Sequence, residues 1–156
     1  MRLTVAAVGR LRGGPEAELV ADYLERTTAT GRPGGIGPAG LVEIDERKAA
    51  TRAAQSAGLL ASVQAAAVCV ALDERGRALP SRDFAATLAR WRDAGRPEAT
   101  FLIGGADGHT PEIRDRADFV LSFGPMVWPH RLVRVMLAEQ LFRAVSILAK
   151  TQYHRD

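Results

Sequence analysis

Three histidines, His109, His130 and His154, are the side chains best suited to moving a proton near neutral pH. Their spacing matches no metal-binding pattern, and with Cys69 as the single cysteine there is neither a thiolate zinc cluster nor an intrachain disulfide. Ser122 lacks the surroundings of a nucleophile elbow, so hydrolase and metalloenzyme chemistries are poorly supported. His130 stands where a path set by two prolines, Gly124-Pro125 to Trp128-Pro129, enters a helical pattern. A helix start disfavours the imidazolium and suits a neutral base, although a capping histidine would occupy the same position. The apolar loop before it could hold a flat heterocycle through backbone amides and carbonyls.

A second candidate is the run Phe101 to Gly108, FLIGGADG, in which Gly104 and Gly105 follow an apolar segment directly. Glycines there permit positive φ and close approach of a ligand to the main chain, and a tight turn without ligand uses the same residues. The run is not a dinucleotide fingerprint after a first strand, and no P-loop motif occurs, so nicotinamide-cofactor and nucleoside-triphosphatase readings are poor. A third junction, Leu72-Asp73-Glu74-Arg75-Gly76, also follows an apolar run.

These junctions need strands to carry them. Continuous apolar runs predict strands at Leu3 to Val8, Leu41 to Ile44, Ala67 to Leu72, Ala99 to Ile103 and Asp118 to Phe123, as expected when both sheet faces are covered. Between them, helices are predicted from Pro15, from Lys48 to about Val63, from Ser81 as N-cap, after Thr110-Pro111, and from about Arg131 to Lys150. The alternation gives an α/β class with a mainly parallel sheet, in which ligands bind beyond the carboxyl ends of strands. Residues 29–40 read as a mobile Gly/Pro-rich surface loop. On the last helix Arg134 and Glu139 lie five positions apart and need not share a face. Its stripe Leu137, Leu141, Val145 and Leu148 is joined by Leu132, Val133, Val135, Met136, Phe142 and Ile147. That is more apolar surface than one sheet face covers, which suggests a subunit interface; an intrachain core helix is the alternative.

At 156 residues with 47% hydrophobic side chains, the chain reads as one domain spanning 1–156, with no span long enough for a membrane helix and no signal peptide, hence cytoplasmic. The net charge of +3 is carried by residues 126–156, which hold 5 basic and 2 acidic side chains. A basic end beside a candidate site suits a polyanion, and a solvated helix face would look the same.

With these residues in view, the chain resembles the ribosomal large subunit methyltransferase H family of the SPOUT class. The likeness rests on LIGGADG, on LSFGPMVWPHRLVRVMLAEQLFRA from Leu121 to Ala144, and on the terminal Tyr153-His154-Arg155. The resemblance implies a knotted α/β fold with a trefoil in the C-terminal half, and a homodimer. It implies methyl transfer from S-adenosyl-L-methionine, without a metal, to N3 of pseudouridine 1915 in helix 69 of 23S rRNA within the ribosome. By position, Leu72, Gly104 with its neighbour Gly105, and Phe123, Gly124, Pro125, Met126, Val127 and Trp128 match the methyl-donor contacts. His130, Arg134, His154 and Arg155 become the candidates for proton transfer and charge stabilisation. The family often has Thr at Val127, Phe or Leu at Trp128, and Tyr at Phe142. A noncatalytic RNA-binding module of the same fold and a tRNA-directed SPOUT methyltransferase are the alternatives.

Overall fold

The computed structural model describes residues 1–154. Five strands, β1 (Arg2–Val8), β2 (Ala39–Ile44), β3 (Val68–Ala78), β4 (Glu98–Ile103) and β5 (Phe119–Ser122), alternate with five α-helices. These are α1 (Pro15–Gly31), α2 (Arg52–Ala61), α3 (Ser81–Asp93), α4 (Pro111–Arg116) and α5 (His130–Leu148). The strands form one sheet in the order β2-β1-β4-β3-β5, and every pairing is parallel. Val5 lies opposite Leu41 on one side and Phe101 on the other, which places the carboxyl ends of all strands on one edge of the molecule.

Alternation along β1 divides the core. Leu3, Val5 and Ala7 enter the larger cluster with Val20 and Leu24 of α1, Phe84 and Leu88 of α3, and Leu137, Leu141 and Val145 of α5. Ala6 and Val8 face the opposite way, with Leu59 of α2 and Ile113 of α4. Each face is apolar because each is covered, the physical reason these strands are continuous apolar runs. Of the three inner strands, β1 and β4 are buried almost throughout.

Four sequence expectations change. The stretch 29–40 is an anchored connection: α1 runs to Gly31, Ile36 is buried, and Ile36 N–H donates to the Gly31 carbonyl at 3.0 Å. Gly37 N–H donates to the Met1 carbonyl at 2.8 Å, so this segment ties the chain start to the sheet. Gly31 is required there, because a Cβ would stand 2.6 Å from the Ile36 carbonyl oxygen. Ser81 is the first residue of α3 and not its cap; Pro80 holds the cap position, and the Ser81 hydroxyl donates to Gln140 Oε1 of α5 at 2.9 Å. The second helix is shorter at both ends than its alanine content suggests, starting after Thr51, whose hydroxyl accepts from Ala54 N–H at 3.1 Å. Lastly, β3 does not end at Leu72: after a bulge over residues 73–76 it resumes, pairing Arg77 with Leu121 and Ala78 with Ser122.

Candidate functional site

The three strand-end junctions meet. Leu72 to Arg75, Ile103 to His109 and the segment from Leu121 to His130 line one cavity of about 540 Å³ at the carboxyl edge of the sheet. Sequence distance hides this meeting, because β3, β4 and β5 become neighbours only through the strand order. Arg52 of α2 and Arg114 of α4 complete the wall. Neither is singled out in the sequence, since each lies in a helix outside the strand-end junctions.

The wall has a polar end and an apolar end. At the polar end Arg114 Nη1 lies 3.3 Å from Asp73 Oδ2, and Arg75 N–H donates to Asp73 Oδ1 at 2.9 Å. Burial pushes the Asp73 pKa up, but the Arg75 N–H and the Arg114 guanidinium together outweigh it and leave the carboxyl below its ordinary value. Arg52 Nη2 donates to the His109 carbonyl, tying α2 to the Gly-rich turn. At the apolar end stand Leu72, Ile103, Leu121, Phe123 and Val133, with Met126, Val127 and Trp128 exposed at the rim.

The Gly-rich turn works differently from the sequence expectation. Neither Gly104 nor Gly105 adopts positive φ; Gly108 does, at +67°, closing a turn in which its N–H donates to the Gly105 carbonyl at 3.0 Å. Gly104 and Gly105 are closely packed instead, Gly104 against backbone and Gly105 against the end of a glutamine side chain. A Cβ on Gly104 would stand 3.0 Å from the Gly108 carbonyl carbon, and one on Gly105 2.8 Å from Gln55 Oε1. Both still line the cavity.

Of the residues singled out as donor contacts, Leu72, Gly104, Gly105, Phe123, Gly124, Met126, Val127 and Trp128 are brought together around this cavity, whereas Pro125 is absent from its wall. His130 lies at the same rim, as the first residue of α5 after Pro129. Its pKa is lowered, first by burial, then by the Arg134 and Arg131 guanidinium groups, against the pull of Glu46. The ring is therefore neutral near pH 7.

Arg134 is placed elsewhere. Its side chain is 1% exposed and does not line the cavity; Nη2 donates to the Val8 carbonyl and Nη1 to Glu43 Oε1 at 3.2 Å. Glu43 Oε1 also accepts from Leu11 N–H at 2.7 Å, so the arginine pins α5 to the ends of β1 and β2. His154 lies at the far end of α5, with Nδ1 3.4 Å from Arg143 Nη1. Arg143 donates in turn to Glu139, which also accepts the Tyr153 hydroxyl at 3.0 Å, and Tyr153 packs on Phe142 at 4.5 Å between ring centroids. Arg155 lies outside the described residues. Within one chain, then, His130 borders the cavity while Tyr153 and His154 do not. Among the described residues no cluster of His, Cys, Asp and Glu has the makings of a metal site, and no helix is long and apolar enough to cross a membrane.

A parallel sheet whose last three strand ends close on one pocket beside a long C-terminal helix is the arrangement expected of the class named above. The chain belongs to the SPOUT methyltransferases: the family model described as "Predicted SPOUT methyltransferase" matches residues 1–154. It is similar along its whole length to proteins named ribosomal RNA large subunit methyltransferase H. The relative from Maricaulis maris is 57% identical over 156 residues, 100% of each chain. Those from Ruegeria pomeroyi and Dinoroseobacter shibae are each 56% identical over 155 residues, 99% of each chain.

Proposed function

We propose that this protein is an S-adenosylmethionine-dependent methyltransferase, acting as a cytoplasmic homodimer on N3 of a pseudouridine in helix 69 of 23S rRNA. The observation that carries the reading is the convergence of three strand-end junctions on one cavity with His130 at its rim. The names of the full-length relatives support ribosomal RNA as the acceptor class. The reading includes one domain over 1–156 and the trefoil threading of the C-terminal half.

The residues present fit the donor. The cavity falls within the range of small-molecule sites, and it offers apolar walls for a heterocycle beside charged groups for a polar tail. Leu72, Gly104, Phe123 and Met126 would hold the molecule against main chain, with Arg52, Asp73 and Arg114 at the polar end. When bound, S-adenosylmethionine supplies a methyl group already activated on a sulfonium.

What remains for the protein is alignment and one proton. The imide N–H of the acceptor base must lose its proton for nitrogen to attack, and His130, at the cavity rim, takes it at its ring nitrogen. Arg134 acts through position, holding the first turns of α5, and with it His130, against β1 and β2. His154 and Arg155 take part from the partner subunit, since their own chain holds His154 beside Arg143 at the far end of α5. The dimer surface recognises an assembled ribosomal shape through arginine contacts to phosphate.

The test is methyl transfer from labelled S-adenosylmethionine to ribosomes from cells lacking this gene, with the product base mapped by mass spectrometry. Label at the helix 69 pseudouridine is expected; transfer to tRNA only, or none despite donor binding, refutes the acceptor assignment. His130→Gln should lower the rate by about 100-fold. Because the base form is the active one and its pKa lies below the ordinary 6.5, the parent rate should be flat near neutrality. It should fall as pH drops through the lowered value.

A further inference from the structure

One guanidinium on α1 stands among three aromatic rings, two of them from the last part of the chain. Arg26 Cζ lies 4.1 Å from the ring centroid of Phe142 on α5, and 5.5 Å from those of Tyr23 on α1 and Tyr153 beyond the end of α5. Asp22, one turn earlier, accepts from Arg26 Nη1 at 3.2 Å and keeps the side chain turned along the helix toward those rings. A cation within about 6 Å of an aromatic centroid is attracted to the ring face, and here three rings share one cation. The Arg26 side chain is 43% exposed, so it adds little to the buried core.

Tyr153 is where the end of the chain is fastened. Lys150 takes a left-handed conformation and Thr151 N–H donates to the Ser146 carbonyl at 2.9 Å, which turns the chain back along α5. The Tyr153 ring then meets Phe142 edge-on, its hydroxyl donates to Glu139 Oε1, and Arg143 Cζ stands 5.0 Å from its centroid. Glu139, Phe142 and Arg143 all belong to α5 and set Tyr153 along that helix, whereas Arg26 reaches it from α1 and sets it across. His154 follows directly. None of these residues lines the cavity of about 540 Å³, while Tyr23 and Glu139 border an apolar groove between α1, α3 and α5.

We propose that Arg26 is a positioning residue for methyl transfer: it clamps Tyr153 against Phe142 and so sets where His154 stands for the partner subunit. The proposal rests on the reading that His154 serves the partner's site. A guanidinium already engaged by Asp22 and three ring faces is better placed to hold the chain end than to grip a phosphate. Because the clamp stands apart from the cavity wall, its loss should slow the reaction and leave donor binding as it was.

The experiment is a double-mutant cycle on the full chain, read as methyl transfer to ribosomes from cells lacking this gene. Arg26→Ala and Tyr153→Ala should each lower kcat by roughly 10- to 100-fold, the cost of a small misplacement made away from the chemistry. The double variant should lose no more than the weaker single, since one residue acts through the other. Arg26→Lys keeps a cation beside the rings and should restore kcat to within about threefold of the parent. Calorimetric affinity for S-adenosylmethionine and the mass in sedimentation should match the parent throughout. By NMR, the Overhauser contact between the Tyr153 and Phe142 rings should be present in the parent and in Arg26→Lys and lost in Arg26→Ala. A parent rate in Arg26→Ala, additive losses in the double variant, or a slowed Arg26→Ala that keeps the ring contact overturns the proposal. So does a fall in donor affinity or mass in step with kcat, which marks a structural role. If Arg26→Ala fails to fold, Arg26→Gln runs the same cycle with the chain length kept and the charge removed. A chain ending at Tyr153 that methylates at the parent rate overturns the reading of the tail itself, whereas slow transfer by that chain beside a parent rate in Arg26→Ala overturns only the role of Arg26.

Discussion

Phe123 and Gly124 are shared by two hollows of similar size and opposite character. On one side lies the cavity of about 540 Å³ with Arg52, Asp73, Arg75, His109 and Arg114 on its wall. On the other lies a groove of about 610 Å³ whose wall is mostly apolar: Leu19, Tyr23, Leu79, Pro80, Phe84, Val135 and Met136, with Glu139 and Gln140 at one margin. The first has the mixture that selects a small polar molecule. The second has few groups to orient a small ligand and much apolar surface to hide, which suits the face of another subunit. One loop therefore joins the proposed donor pocket to the proposed dimer face, and the tail cluster of Glu139, Arg143, Tyr153 and His154 begins at the margin of the second. The comparison teaches that the proposed site and the proposed interface are two sides of one wall, so a change on either side should be felt by the other to a measurable degree.

The largest effect should come from charging the groove. Val135 is half-buried on the groove wall and away from the cavity. Val135→Arg should convert the proposed dimer to a monomer, seen as a halved mass by sedimentation, and abolish methyl transfer, because a buried unpaired charge costs several kcal/mol. A fully active monomer would break the link between the two hollows.

A smaller change is expected on the polar side. Gly76 closes the bulge in β3, and a Cβ there would stand 2.7 Å from the Val120 carbonyl oxygen and 2.8 Å from Leu121 backbone carbon. Backbone must move to admit it, so Gly76→Ala should cost about 1–3 kcal/mol in urea unfolding. It should also weaken S-adenosylmethionine binding while leaving the mass in solution that of the parent. Unchanged stability would mean that the bulge yields freely and does not shape the pocket.

The smallest effect concerns the Asp73–Arg114 pair, whose side chains are 11% and 31% exposed. Asp73→Asn should cost about 1 kcal/mol at neutral pH. The carboxyl pKa is lower in the folded chain than in the unfolded one, so its contribution is complete above the unfolded value, near pH 4. It is lost as pH falls through the lowered folded value. Parent and variant unfolding curves should therefore converge once pH has fallen below the lowered folded value.

The strands were legible because their runs are apolar on both faces, and His130 was legible because two prolines and a helical pattern framed it. The length of β3 was not: Asp73-Glu74-Arg75-Gly76 reads as the end of a strand, and only pairing with Leu121 and Ser122 carries the strand beyond it. Arg134 became a candidate for charge stabilisation through the resemblance, yet its side chain is turned to β1 and β2. The stretch 29–40 looked loose because glycine and proline mark turns whether or not the turn is anchored. Here Ile36 and the hydrogen bonds from Gly37 and to the chain start anchor it.

By itself the sequence determined the class of the fold, the strand-end junctions and the apolar excess on α5, since composition and periodicity report burial residue by residue. Only the tertiary structure decided that β4 lies between β1 and β3, that Arg52 and Arg114 reach the same cavity as Phe123, and that His109 Nε2 meets the Leu102 carbonyl. Those facts depend on which segments become neighbours across the sheet, and neighbourhood is set by packing the whole chain at once.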